Sequence, residues 1–144
     1  MATVAQIRRF TSGLSVLIST AAEAVHAGYP SPAQDYFDGT LDLNEHLIGD
    51  KTSTFIVRVV GDSMEGAGIS DGDELIVDRA EEPRDGSVVL AVLDGEITVK
   101  RLRLTSQGVM LVPENPRYSP IHVAESDLLV WGVVTYSLHQ LRSA

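Results

Sequence analysis

Residues 87–104 read SVVLAVLDGEITVKRLRL, two apolar strand-like runs joined by the dipeptide Asp94-Gly95. Aspartate and glycine tolerate the positive φ that a tight turn demands, so the stretch reads as a β-hairpin linking Ser87–Leu93 to Glu96–Leu104. In the second strand, Ile97 and Val99 point to one side, and Arg101 and Arg103 continue that phase. Thr98, Lys100, Leu102 and Leu104 point to the other side, which puts a lysine in line with two leucines. Because the apolar residues change face between Val99 and Leu102, a bulge or burial on both faces is expected there. A lysine with this phase has an ordinary explanation as an edge-strand gatekeeper or a snorkelling side chain.

Outward from the hairpin the β pattern continues. Thr54–Val60 carries Phe55, Val57 and Val59 on one face, and Glu74–Asp78, Val109–Val112 and Leu128–His139 read as further strands. Asp-Gly pairs at 71–72 and 85–86 supply more turns. The fold expected is a compact all-β domain with a mobile N-terminal arm. Three zones follow: an arm at 1–27, a linker at 28–50, and the β domain at 51–144. In the arm, Leu14, Leu17, Ile18, Ala21 and Val25 recur at three- and four-residue steps, which permits a short amphipathic helix. Gly13 and the serines oppose it, and extended attachment to another surface is the competing option. The linker opens Gly28-Tyr29-Pro30-Ser31-Pro32, and its prolines favour extended backbone. A turn or helical stub is expected at Asp42-Leu43-Asn44.

The 144 residues make one domain the natural expectation, and 44% hydrophobic with 22% charged residues is an ordinary globular balance. There is no cysteine, which excludes disulfides and thiolate catalysis and fits a reducing cytoplasm. The net charge is −9; residues 1–27 carry Arg8, Arg9 and Glu23 for +1, leaving −10 on the rest. Such a body repels a phosphate backbone, so a protein or peptide partner is expected rather than direct DNA binding. Arg8-Arg9, the stretch from Phe10 to Val25, and Val25-His26-Ala27 imitate a secretory signal. Ser12, Ser15, Ser19, Thr20 and Glu23 interrupt that run, and no segment has the ~20 apolar residues of a membrane span. A cytoplasmic chain away from the membrane is expected.

Chemistry concentrates at Gly61-Asp62-Ser63-Met64, a turn after the Thr54–Val60 strand. A serine hydroxyl there can be presented outward, and neighbouring backbone N–H groups can face the oxygen of a tetrahedral intermediate. The hydroxyl needs a base, and a lysine serves only where burial leaves it neutral. The plainer reading gives Asp62 and Ser63 a turn-stabilising role. Asp62, Asp71 and Asp73 could mimic a hard-cation site, but turn duty explains them more simply.

The ordered motifs Gly61-Asp62-Ser63-Met64, Ser70-Asp71-Gly72-Asp73 and Asp94-Gly95-Glu96-Ile97-Thr98-Val99-Lys100-Arg101 resemble the LexA-type self-cleaving serine peptidase family. The 37-residue interval from Ser63 to Lys100 is similar to that family's too. Residues 28–36, Asp42-Leu43-Asn44 and Tyr118-Ser119-Pro120-Ile121 narrow the resemblance to the UmuD family, SOS-induced accessory proteins of error-prone polymerase. It implies a LexA-like C-terminal peptidase domain, barrel- or sandwich-like, with a Ser63–Lys100 dyad. It implies cleavage of the Ala27-Gly28 bond, backbone support for the oxyanion from Asp62, Ser63 and Met64, and no metal or cofactor. It implies stimulation by a RecA–single-stranded DNA filament, and a shortened homodimer joining a UmuC-type Y-family polymerase. Only 27 residues precede Gly28, too few for the DNA-reading domain that LexA repressors carry. A non-enzymatic adaptor that only binds a polymerase, and an exported protein cut by signal peptidase, are the competing functions.

Overall fold

The computed structural model describes residues 2–9, 17–21, 27–28, 37–124 and 127–142. Among them the chain runs β1 (Thr3–Arg9), β2 (Leu17–Ala21), β3 (Phe37–Asp42), α1 (Leu43–Leu47), β4 (Thr54–Val60) and β5 (Glu74–Asp78). It continues β6 (Val88–Leu93), β7 (Glu96–Thr105), β8 (Gly108–Val112), β9 (Ile121–Val123) and β10 (Leu129–Leu138). It forms two compact units, one of Met1–Thr11 with Asp50–Ala144 and the other of Ser12–Gly49.

In the larger unit the strand order is β1-β4-β5-β10-β6-β7-β8-β9. Thr3 of β1 also pairs with Thr98 of β7, which closes a barrel of 6 strands and leaves β8 and β9 as an extension. The β6–β7 hairpin turns as expected: Leu93 pairs with Glu96, and Asp94 and Gly95 take φ of 51° and 77°. Two positive φ values in succession match the right-handed twist of the flanking strands.

Register along β6–β7 runs unbroken from Val88↔Arg101 to Leu93↔Glu96, so no bulge interrupts β7 at the change of face. Burial on both faces is the reason for the pattern. Val99 joins a core of Ala2, Val57, Val59, Met64, Ile69, Leu75, Val77 and Leu90. Leu102 joins a second core of Val89, Ala91, Leu111, Val123 and Val133. A strand buried on both sides needs apolar residues in both phases, and β7 supplies Val99 in one and Leu102 in the other, with Lys100 and Arg101 between them.

The smaller unit corrects one expectation. Leu17–Ala21 is a strand, antiparallel to Phe37–Asp42 with Leu17↔Asp42 and Ile18↔Leu41, and is not helical. Three-residue spacing reports a helix only when no distant partner offers a ladder, and here one does. Leu14, Val25 and the prolines at 30 and 32 lie outside the described residues. The expected stub is α1, whose N-cap Asp42 accepts a hydrogen bond from the Asn44 N–H.

Candidate active site

Ser63 follows β4 in a turn that leads into a short 3-10 segment, Glu65–Ala67. Gly61 takes φ 106°, a conformation that L side chains rarely adopt, and its N–H donates to Asp71 Oδ1 at 2.8 Å. Ser63 and Met64 are both 0% exposed. Among the described residues, the backbone N–H groups of Ser63 and Met64 donate to no acceptor. Two such donors beside a serine are what a developing oxyanion requires.

Lys100 is 1% exposed, the largest fully buried side chain among the described residues. Burial pushes its pKa below the ordinary lysine value, because a charged amine is disfavoured away from water. Its Nζ hydrogen-bonds Thr98 Oγ1 at 3.3 Å. Thr98 Oγ1 in turn donates to the Ala2 carbonyl at 2.9 Å, and the Ala2 N–H donates to Ser63 Oγ at 2.6 Å. Lysine and serine are thus joined by one buried chain of hydrogen bonds through Thr98 and Ala2. No direct bond links the two among the described residues.

A loop that sequence reasoning did not single out positions the serine. The Glu114 N–H donates to the Ser63 carbonyl at 2.8 Å, and the Gly66 N–H donates to the Glu114 carbonyl at 2.7 Å. Asn115 Nδ2 donates to the Asp62 carbonyl at 2.9 Å, and Tyr118 donates to the Asp62 carboxylate at 2.6 Å. Arg117 also pairs with that carboxylate. The Tyr118 hydrogen bond and the Arg117 charge hold the Asp62 pKa below its usual value, against the opposing effect of burial. Arg101, next to Lys100, pairs with the Glu114 carboxylate and donates to the Gly86 carbonyl at 2.6 Å. The loop therefore ties the β7 segment carrying Lys100 to the turn carrying Ser63. Tyr118 and Arg101 were visible in the sequence only as parts of motifs; Glu114 and Asn115 gave no signal.

Ala27 and Gly28 are exposed in a turn of the smaller unit, with Gly28 at φ 92°. Among the described residues, no group of three or more metal-ligating side chains occurs, and no helix is long and apolar enough to cross a membrane.

Residues 17–135 match the family described as Peptidase S24-like. The chain is 46% identical to Protein SamA of Salmonella typhimurium over 121 residues, 84% of each chain. It is 41% identical to Protein MucA of Escherichia coli over 119 residues, 81% of this chain and 80% of the relative. The LexA repressor of Delftia acidovorans is 45% identical over 81% of this chain, which covers 51% of that longer protein. The chain belongs to the Peptidase S24-like family, on its UmuD branch.

Proposed function

We propose that the protein is a self-cleaving serine peptidase that cuts its own Ala27-Gly28 bond. One observation carries the reading: a fully buried lysine with a depressed pKa, linked by hydrogen bonds to a buried serine in a turn with two available N–H donors. Ser63 Oγ attacks the Ala27 carbonyl carbon while its proton passes to neutral Lys100 Nζ. The N–H groups of Ser63 and Met64 hold the resulting oxyanion, with Asp62 fixing the turn. As the C–N bond breaks, Lys100 returns the proton to the Gly28 nitrogen, leaving an acyl-serine. A water molecule then attacks that acyl carbon, giving its proton to Lys100, which passes it to the departing Ser63 Oγ. Small side chains at Ala27 and Gly28 let the peptide approach closely.

Family membership and the similarity to SamA and MucA support a role linked to SOS mutagenesis. The finer reading is that a RecA–single-stranded DNA filament favours the cleavable conformer, since a ligand shifts an equilibrium only by its differential affinity. The product starting at Gly28 then dimerises and joins a UmuC-type polymerase in the cytoplasm. Incubating the purified chain at alkaline pH and measuring its mass tests the peptidase. Release of residues 1–27 is expected. Persistent full-length protein would instead leave a binding adaptor of the same fold.

A further inference from the structure

Strand β1 makes contacts at the dyad that an extended peptide substrate would make. Ala2 is 0% exposed, and its N–H donates to Ser63 Oγ at 2.6 Å. Its carbonyl accepts from Thr98 Oγ1 at 2.9 Å and from the Val99 N–H at 3.3 Å. A small residue therefore lies beside the nucleophile, laddered onto β7, while the following residues pair antiparallel with β4 from Thr3↔Val60 to Arg9↔Phe55. This is strand addition to a sheet edge, a common way to bind an extended peptide.

Although β1 closes the barrel, it is anchored in the core only at one end, by fully buried Ala2 just before the strand and by partly buried Val4. Of Thr3–Arg9, only Val4 is even partly buried, and the register shifts between Val4 and Gln6. Beyond Ala2 the strand is kept by its β4 ladder, by the single Thr3↔Thr98 pairing with β7, by the packing of Val4 on the core, by an exposed Arg8–Glu74 pair at 2.7 Å, and by Arg9 lying 6.0 Å over the Phe55 ring. An element with so few buried contacts opens well below the cost of global unfolding.

We infer that Ala2–Arg9 is an internal plug of the peptide groove, and that its release is what frees Ser63 to act. While Ala2 is seated, one lone pair of Ser63 Oγ is committed to the Ala2 N–H. Its backbone also fills the space a carbonyl carbon must enter, about 3–3.5 Å from the nucleophile. The competing occupant is the chain's own segment carrying the Ala27-Gly28 bond, so the inference rests on the cleavage reading above. The observed rate is then the rate of the open form scaled by the fraction of chains in which β1 has left.

The test uses the full chain and two readouts: Ser63 labelling by a small fluorophosphonate, and release of residues 1–27. Ala2→Trp overfills the seat, and Ala2→Pro removes the N–H that bonds Ser63. Both are expected to label Ser63 at least about tenfold faster than the unaltered chain, with Ser63→Ala unlabelled. Arg8→Glu, a surface change that spares the core, is expected to label about two- to fivefold faster, and adding Glu74→Arg to restore the slow rate. Equal labelling in all chains, or none in any, would overturn the plug. Faster labelling with no release of residues 1–27 would uphold the plug and refute Ala27-Gly28 as the bond cut.

Discussion

At position 100 a lysine is 1% exposed, with Thr98 Oγ1 as its hydrogen-bond partner. Burial lowers its pKa in the folded chain, whereas the unfolded chain keeps a value near 10.5. Between those two values the unfolded chain binds more protons, so stability rises with pH across that window. Lys100→Met is expected to be about 1–3 kcal/mol more stable at neutral pH, since an apolar isostere suits the site better. Urea midpoints of the two chains should converge as pH approaches 10. A constant gap would show that burial does not depress the lysine. Gly66 tests the other side of the site: a Cβ there would meet the Glu114 carbonyl at 2.7 Å, a backbone atom that cannot swing aside. Gly66→Ala is expected to cost about 1–3 kcal/mol and to slow self-cleavage, because the displaced loop holds the Ser63 carbonyl. Ser63 and Lys100 were singled out in the sequence because the ordered motifs around them resemble a known family; their turn and strand phase alone fit structural roles equally well. Ala2 was not, since its bonds to Ser63 and Thr98 use backbone atoms across 61 and 96 residues.

Strand β7 changes partner along its length, pairing β1 at Thr98 and β8 from Arg101 to Thr105. Lys100 lies at that change, where the barrel seam and the Ser63 turn converge. The loop at Pro113–Tyr118 secures the convergence. Asn115 is 8% exposed and its amide reaches the Asp62 carbonyl. Asn115→Ala is expected to cost about 1–2 kcal/mol and to lower the cleavage rate more than the melting temperature suggests. Unchanged cleavage would mean the loop does not position Ser63. Central strand β10 pairs both β5 and β6 and shifts register at Gly132, where a Cβ would meet Val77 Cγ1 at 2.6 Å. Gly132→Ala is expected to destabilise by about 1–3 kcal/mol, read from the denaturation midpoint, without changing the pH dependence of cleavage. Strands β4 to β8 and β10 were readable within about a residue because alternation and Asp-Gly turns mark their ends. Strand β9 is three residues long, and β1 has one partly buried position, so neither leaves a periodic signal. Strands β2 and β3 depend on each other across the chain, which local spacing does not encode.

The whole molecule carries a net charge of −9 and a barrel closed at one seam, and Ala27-Gly28, the bond we propose is cut, belongs to the smaller compact unit. That charge opposes contact with a phosphate backbone, and purified chain is expected to show no salt-dependent affinity for single-stranded DNA. The central claim is that neutral Lys100 takes the Ser63 proton. Its most direct measurement is the rate at which purified protein releases residues 1–27, followed by mass from pH 7 to 10 with no other protein present. The rate is expected to climb with pH as more Lys100 loses its proton, with Ser63→Ala and Lys100→Ala folded but uncut. A flat profile, or brisk cutting in either variant, would contradict it.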